Sequence, residues 1–369
     1  MKLHRIGLTA SIAVASLALV ACGNDNPTGT ETTASSDAGS GESLSGTLKG
    51  SGSSAQESAM TAWIAGYQGV QPDVTVQYDS VGSGAGRENL LAGAVDFAGS
   101  DAALNEEERA QVTEVCGPDG AMNIPVYISP VAIPYNVEGV DELNLKPATL
   151  AQIFDLKITN WNDPAIAADN PGATLPDLKI TAVNRSDESG TTENFMEYLS
   201  AAAPDAWTYE ADKAWPVSGG EAAAQTTGVI DVVGSTNGAI GYADASAVGT
   251  LDSAKIGVGE EFVAFSPEAA AKVVDASEPS ASDVNGDLAL DLARDTTESG
   301  AYPIVLVSYH IVCHNYADQE TADLVKDFVG YVVSEEGQTA AAEAAGSAPI
   351  SADLRTKAEA SLDLVQAGN

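Results

Sequence analysis

Basic residues are scarce in this chain: 16 lysines and arginines stand against 53 aspartates and glutamates, a formal charge of −37. That balance excludes a nucleic-acid binder, which needs a basic face to displace counterions from phosphates. It favours solubility and self-repulsion. Histidine is nearly absent, with three in 369 residues. A hydrolase using Ser83 or Ser189 as nucleophile needs a base beside it. Beyond the N-terminal segment only His310 and His314 could serve, and both lie far along the chain from those serines. Cysteine is limited to Cys22, Cys116 and Cys313. His310, Cys313 and His314 sit close together, but no second ligand pair has metal spacing, so they read as the end of a strand. Neither a metal nor a cofactor is expected. After the first 21 residues no apolar run is long enough to read as a membrane span.

What is present begins at the N-terminus. Lys2 and Arg5 precede an apolar stretch from Ile6 to Val20, which closes on Leu19-Val20-Ala21-Cys22. A basic start, a short apolar core and small residues before a break describe a secretory signal. The closing tetrapeptide resembles the lipobox of bacterial lipoproteins. The resemblance implies that residues 1–21 are a signal peptide and that Cys22 becomes the lipidated N-terminus. Gly23 to Ser43 contains Gly, Ser, Thr, Asn and Asp with almost nothing apolar. Such a segment cannot offset its own ordering entropy. With Cys22 it reads as a flexible tether, residues 22–43, with an r.m.s. reach of ~25 Å. Loss of Lys2 and Arg5 with the signal leaves 14 basic residues against 53 acidic ones, a balance of −39. Cys116 and Cys313 could pair in an oxidising compartment. The sequence does not say whether their Cβ atoms approach.

From Leu44 onward strand and helix patterns alternate, which argues an α/β fold with a mainly parallel sheet. Leu44 to Leu48 reads as a strand, Ala55 to Tyr67 as a helix, and Ser54 with Glu57 has capping-box spacing. Val74 to Tyr78 and Val95 to Ala98 are further strands, with a helix starting at Arg87 after the turn Val81 to Gly86. Ile180 to Asn184 is a strand, Thr192 to Leu199 a helix, and Gly238 to Tyr242 a buried strand. Asp323 to Val332 and Gly337 to Ala345 read as closing helices. Two long apolar runs stand out, Ile124 to Tyr135 and Pro303 to Val312. Pro125, Pro130 and Pro134 deny the first a regular helix, so both read as strands crossing between domains.

Loops that follow a strand and precede a helix are where open α/β sheets bind ligands. This chain has such loops at Ser51 to Ala55, Gly82 to Gly86, Ser100-Asp101 and Arg185 to Thr191. Helix N-termini offer unpaired N–H groups to an anion, and hydroxyls on Ser54, Ser83, Ser189 and Thr191 add neutral donors. Each loop alone is weak. Gly82 to Gly86 meets Arg87 where a dinucleotide fingerprint needs its third glycine, and no Lys-Ser/Thr pair makes it a P-loop.

Together the loops match a family in order and spacing. Gly50-Ser51-Gly52-Ser53-Ser54, Val81-Gly82-Ser83-Gly84-Ala85-Gly86 and Ala98-Gly99-Ser100-Asp101-Ala102 come first. Ile158-Thr159-Asn160-Trp161-Asn162-Asp163-Pro164-Ala165-Ile166-Ala167 and Asn170-Pro171-Gly172-Ala173-Thr174-Leu175-Pro176 follow, then Asn184-Arg185-Ser186-Asp187-Glu188-Ser189-Gly190-Thr191. Gly238-Ala239-Ile240-Gly241-Tyr242 and Tyr302-Pro303-Ile304 complete the set. These stretches resemble the phosphate-binding receptors of high-affinity Pst-type ABC importers, from about Leu44 to the C-terminus. The resemblance implies a two-domain periplasmic-binding-protein fold of type II, α/β, with mixed sheets flanked by helices, a ligand cleft between domains and two hinge crossings. It implies domain I over residues 44–130 and 306–369, and domain II over residues 131–305.

It also implies the contacts with inorganic phosphate: the Ser54 hydroxyl and Ala55 N–H, Ser83, Asp101, Arg185, Ser189, Gly190 and Thr191. Asp187 grips the Arg185 guanidinium behind them. Relatives often show Thr-Phe where this chain has Ser54-Ala55; the hydroxyl and the N–H survive that change. The implied protein is a monomer, not an enzyme, lipid-anchored to the outer side of the cell membrane and serving membrane permease subunits. A receptor for another tetrahedral oxyanion, sulfate or molybdate, is the alternative, and a surface adhesin or signalling domain with a retired cleft is a third class.

Overall fold

The computed structural model describes residues 43–368. The expected signal peptide, Cys22 and nearly all of the tether lie outside the described residues. Among the described residues no helix is long and apolar enough to cross a membrane.

Strand Gly46–Gly52 opens the fold and leads into helix Glu57–Val70. Ala59, Met60, Trp63 and Tyr67 form that helix's buried face, the spacing an amphipathic helix requires. The expected capping box is absent. Gln56 holds the cap position without a side-chain bond, and Ser54 turns instead to Thr226, 3.1 Å away. Two residues separate Ser54 from the first helical turn, so its hydroxyl is out of capping reach. A second difference is local. Ser83 to Gly86, read as part of a turn, is the first turn of helix Ser83–Leu91, with Gly82 at its cap at φ 95°. Small residues permit this crowding: a Cβ at Gly84 would lie 2.4 Å from Glu188 Cβ, and one at Gly86 2.4 Å from Gly52 Cα.

Two mixed sheets organise the rest. The six-stranded sheet runs Ala243–Asp244, Ala121–Ala132, Val305–Cys313, Phe97–Ser100, Gly46–Gly52, Val74–Ser80. Its last three strands are mutually parallel; Val305–Cys313 runs antiparallel to both neighbours. The five-stranded sheet runs Asp252–Ser253, Pro134–Asn136, Ala239–Gly241, Thr181–Arg185, Glu221–Ala223. The first expected crossing falls at Ile133, between Ala121–Ala132 in one sheet and Pro134–Asn136 in the other. The return leads into Val305–Cys313, which pairs with Ala121–Ala132 from Val305↔Pro130 to Cys313↔Ala121. A further connection joins the sheets, because only Tyr242 separates Ala239–Gly241 from Ala243–Asp244.

Each sheet carries its own aromatic core. Trp63, Phe97 and Phe328 surround the His310 ring at centroid distances of 5.6, 5.0 and 6.1 Å. Burial pushes the His310 pKa down to about 3, so the ring is a neutral core residue bonded to Gln56 Oε1 at 3.2 Å. In the other lobe Phe195 stacks on Trp215 and on Tyr242, at 6.3 and 4.6 Å.

Cys116, at the end of helix Glu106–Cys116, is disulfide-bonded to Cys313, at the end of strand Val305–Cys313, with Cα atoms 4.8 Å apart across 197 residues of sequence. A loop that long contributes about 5 kcal/mol in the chain-entropy account and less where the unfolded chain keeps structure. The double variant Cys116→Ser, Cys313→Ser is therefore expected to lose about 2–5 kcal/mol of unfolding free energy. Calorimetry with and without reductant checks this; an unchanged melting temperature would refute it.

Candidate functional site

Asp101 follows strand Phe97–Ser100 and is 3 % exposed. Its carboxylate collects hydroxyls. Ser53 and Ser308 donate to Oδ1 at 2.5 and 2.7 Å, and Thr191 donates to Oδ2 at 3.0 Å. Its N–H donates to Ser83 Oγ at 3.1 Å, and its carbonyl accepts from Asn194 Nδ2 at 2.6 Å. Thr191 and Asn194 belong to helix Gly190–Ala202, which leaves the five-stranded sheet, so Asp101 ties the two lobes together.

Ser189 caps that helix, accepting the Thr192 N–H at 3.2 Å. Gly190 is required by contact: a Cβ there would lie 2.7 Å from Ser83 Oγ and 2.8 Å from Asp101 Cβ. The positive end of the helix is thus pressed against the loops of the opposite lobe.

Arg185 ends strand Thr181–Arg185 and is also 3 % exposed. Its Nε donates to Asp187 Oδ1 at 2.7 Å and its Nη2 to Asp187 Oδ2, a bidentate grip. Its backbone N–H donates to the Tyr242 hydroxyl at 3.1 Å, and that phenol also bonds Thr192 Oγ1 at 2.7 Å. Burial alone would raise the Asp187 pKa; the Arg185 hydrogen bonds and charge overturn it and, with the Gln225 N–H, hold the carboxyl below its usual range. The pair borders Gly82, where a Cβ would lie 2.6 Å from Asp187 Oδ2 and 3.6 Å from Arg185 Nη2.

The structure therefore gathers Ser83, Asp101, Ser189, Gly190 and Thr191 in one buried cluster, with Arg185 and Asp187 beside it. Ser54 and Ala55 stand at its flank and join it through Ser53. The Ala55 N–H donates to Ser53 Oγ at 3.0 Å, and Ser54 pairs with Thr226. Several participants were missed by sequence reasoning. Ser53 lies inside a quoted motif, but its neighbour took the role. Ser308 carried one signal, a small polar residue inside an apolar run; a register shift next to it re-aims the strand at this point. Asn194, Gln225 and Thr226 carried none.

An ionic bridge lies alongside. Arg87 is buried on helix Ser83–Leu91 and pairs with Glu108 at 3.1 Å in its own lobe and with Glu193 at 3.6 Å in the other. Lys213 does the converse, reaching Glu188 at 2.8 Å and Glu108 at 3.6 Å. The Gly84 N–H adds a backbone bond to the Glu188 carbonyl at 3.1 Å.

A family model described as a PBP superfamily domain matches residues 32–336. The Mycobacterium bovis "Phosphate-binding protein PstS3" is 38% identical over 338 residues, 89% of this chain and 90% of that protein. The chain belongs to the PBP superfamily and to its PstS branch. Solved structures agree in fold. A high-affinity periplasmic phosphate-binding protein (PfluDING) bound with phosphate superimposes with a TM-score of 0.70 at 22% identity, over 85% of this chain and 93% of that one. An ABC-type phosphate transport receptor from Vibrio cholerae gives 0.53 at 19%, over 80% and 97%. The fold is the two-domain α/β one of this superfamily, and Asp101 and its partners lie where the two lobes meet.

The ionic bridge generates a prediction. Burial is the main force on Glu193 and raises its pKa from 4.5 to about 7; Arg87 opposes this, while Glu197, Glu108 and Asp212 add to it. The folded protein then holds the Glu193 proton between pH 4.5 and about 7 and the unfolded chain does not, so this group's contribution to stability falls as pH rises through that window. Glu193→Gln removes the titration. Between about pH 5 and about pH 7.5 the variant should lose about 1–3 kcal/mol less unfolding free energy than the parent. Parallel denaturation slopes for the two proteins would exclude it.

Proposed function

We propose that this protein is an extracytoplasmic receptor that binds inorganic phosphate and delivers it to the permease subunits of an ABC importer. Membership of the PstS branch supports the ligand class, and Asp101 carries the reading. An ionised carboxylate is acceptor-only, with about four lone-pair sites. Ser53, Ser308 and Thr191 use three of them, which leaves one on Oδ2 for a ligand hydrogen. An anion that meets a buried carboxylate is tolerated only if it brings that hydrogen. Phosphate near neutral pH keeps a P–O–H; sulfate has none, so its oxygens would face Asp101 with nothing between.

The remaining contacts follow from the same geometry. Arg185 offers its guanidinium, held by Asp187. Ser54, Ser83 and Ser189 offer hydroxyls and Gly190 a backbone N–H; the Thr191 hydroxyl and the Ala55 N–H, which here donate to Asp101 and to Ser53 Oγ, reach the ligand by turning from those partners. Directed donors in a water-poor cleft explain how a strongly acidic protein holds an anion, because distant carboxylates are screened within about 8 Å at physiological salt. The proposal includes the lipid anchor at Cys22, a monomeric state, and lobes over residues 44–130 with 306–369 and over 131–305. Hydrolysis is not part of it: His310 is walled in by aromatic rings, and its lowered pKa makes it a weak base.

Two variants test this. Asp101→Asn keeps the size of the side chain but presents an amide, so it should lose most of the phosphate-over-sulfate discrimination, which sites of this kind set at roughly 10⁴–10⁵. Competition binding with melting temperature as fold control decides; unchanged selectivity would sink the role given to Asp101. Arg185→Ala removes two charge-assisted bonds and should weaken phosphate binding by roughly 10²–10⁴-fold, with only partial rescue by Lys. Calorimetry returning the parent affinity for the alanine variant would remove Arg185 from the site.

A further inference from the structure

Gln225 and Thr226 open helix Gln225–Ser235 and touch both lobes at once. Gln225 stands at φ 60°, a left-handed conformation that only Leu156 shares among the described residues other than glycine. Its backbone N–H donates to Asp187 Oδ1 at 2.9 Å, the oxygen that also accepts from Arg185 Nε. Its side-chain amide donates to the Ser80 carbonyl at 2.5 Å, at the end of strand Val74–Ser80 in the other lobe. Thr226 meets the same lobe at Ser54. Its N–H donates to Ser54 Oγ at 3.2 Å, and the two hydroxyl oxygens lie 3.1 Å apart.

We infer that Gln225 and Thr226 are positioning residues that couple the anion-gripping Arg185–Asp187 pair to closure of the cleft and aim the Ser54 hydrogen at the ligand. The inference rests on the phosphate-receptor reading. A hydroxyl has one hydrogen and two lone pairs. When Thr226 donates both its N–H and its O–H to Ser54 Oγ, both lone pairs are used and the single Ser54 hydrogen is left for another acceptor. Ser54 becomes a pure donor, the form an anion requires.

The coupling has a physical route. Ala223, two residues before Gln225, pairs with Arg185 in the five-stranded sheet, and the Ser186 N–H donates to the Ala223 carbonyl at 2.9 Å. The Gln225 segment is therefore registered on the strand that presents the guanidinium. Whatever orders Arg185 and Asp187 orders Gln225, and Gln225 reaches Ser80 only when the lobes are together. Ser54 and Thr226 also line a groove of about 650 Å³ with Glu57, Ser58, Thr227 and Asp231. Parting the pair opens the site on that side.

The test is stopped-flow binding of inorganic phosphate to the mature protein and three variants. Thr226→Val is isosteric and removes the hydroxyl donor; Gln225→Asn tolerates the left-handed backbone but is too short to reach Ser80. Each loses one cross-lobe hydrogen bond and should raise koff about 3–10-fold while kon stays within about twofold. Thr226→Ser keeps the donor and should restore the parent koff. Parent values of koff for both Thr226→Val and Gln225→Asn would overturn the inference and leave the phosphate reading standing, and so would a loss confined to kon. Absence of phosphate binding by the parent protein would overturn that reading and the inference with it.

Discussion

A buried carboxylate sets the terms for this structure. Asp101 sits where two lobes meet, and a buried carboxyl group there must have hydrogen-bond partners. Ser53 and Ser308 satisfy it from its own lobe, and Thr191 does so from the opposite one. Asn194 reaches its carbonyl from the same opposite helix. The junction of the lobes is therefore part of how Asp101 is solvated by protein, and the helix that approaches it needs glycine at position 190 to come near enough. The guanidinium of Arg185 is the counterpart on the other side, held by Asp187, while the Tyr242 phenol accepts the Arg185 backbone N–H.

Around that centre the lobes exchange charges in pairs. Arg87 and Lys213 each contact carboxylates from both halves. In a chain with 16 basic residues these cations are a limited resource, and two of them are committed to the seam. The surplus of acid elsewhere then acts on solubility and leaves the site's chemistry to local donors.

The fold and the loops were legible in the sequence because each rests on local rules. Alternating strands and helices, glycines in crowded turns and the motif around Arg185 all carry their meaning within a few residues. Ser83, Asp101, Ser189, Gly190 and Thr191 converge in the structure. What was not legible depends on partners distant in sequence. Ser54 looked like a helix cap because Glu57 follows it; its actual partner, Thr226, is 172 residues away. Ser308 owes its aim to a register shift, which no residue pattern announces. Helices such as Ala352–Leu362 and Gln225–Ser235 have polar or mixed faces and gave too weak a periodicity to be read. The contact between Cys116 and Cys313 is a property of the sheet, since their strands and helices must first be placed.

The position of strand Val305–Cys313 has a consequence for how the molecule is made. It lies inside the six-stranded sheet, between Ala121–Ala132 and Phe97–Ser100, yet it is among the last strands in the chain. The five-stranded sheet is built from residues between Pro134 and Ser253, a contiguous stretch that can assemble as soon as it exists. The six-stranded sheet cannot. Its early strands wait with unpaired edges until the central one arrives and closes contacts of high sequence separation, the slow kind. The lobe that begins the chain is thus the lobe whose sheet is completed last, and until then its strand edges stand unpaired.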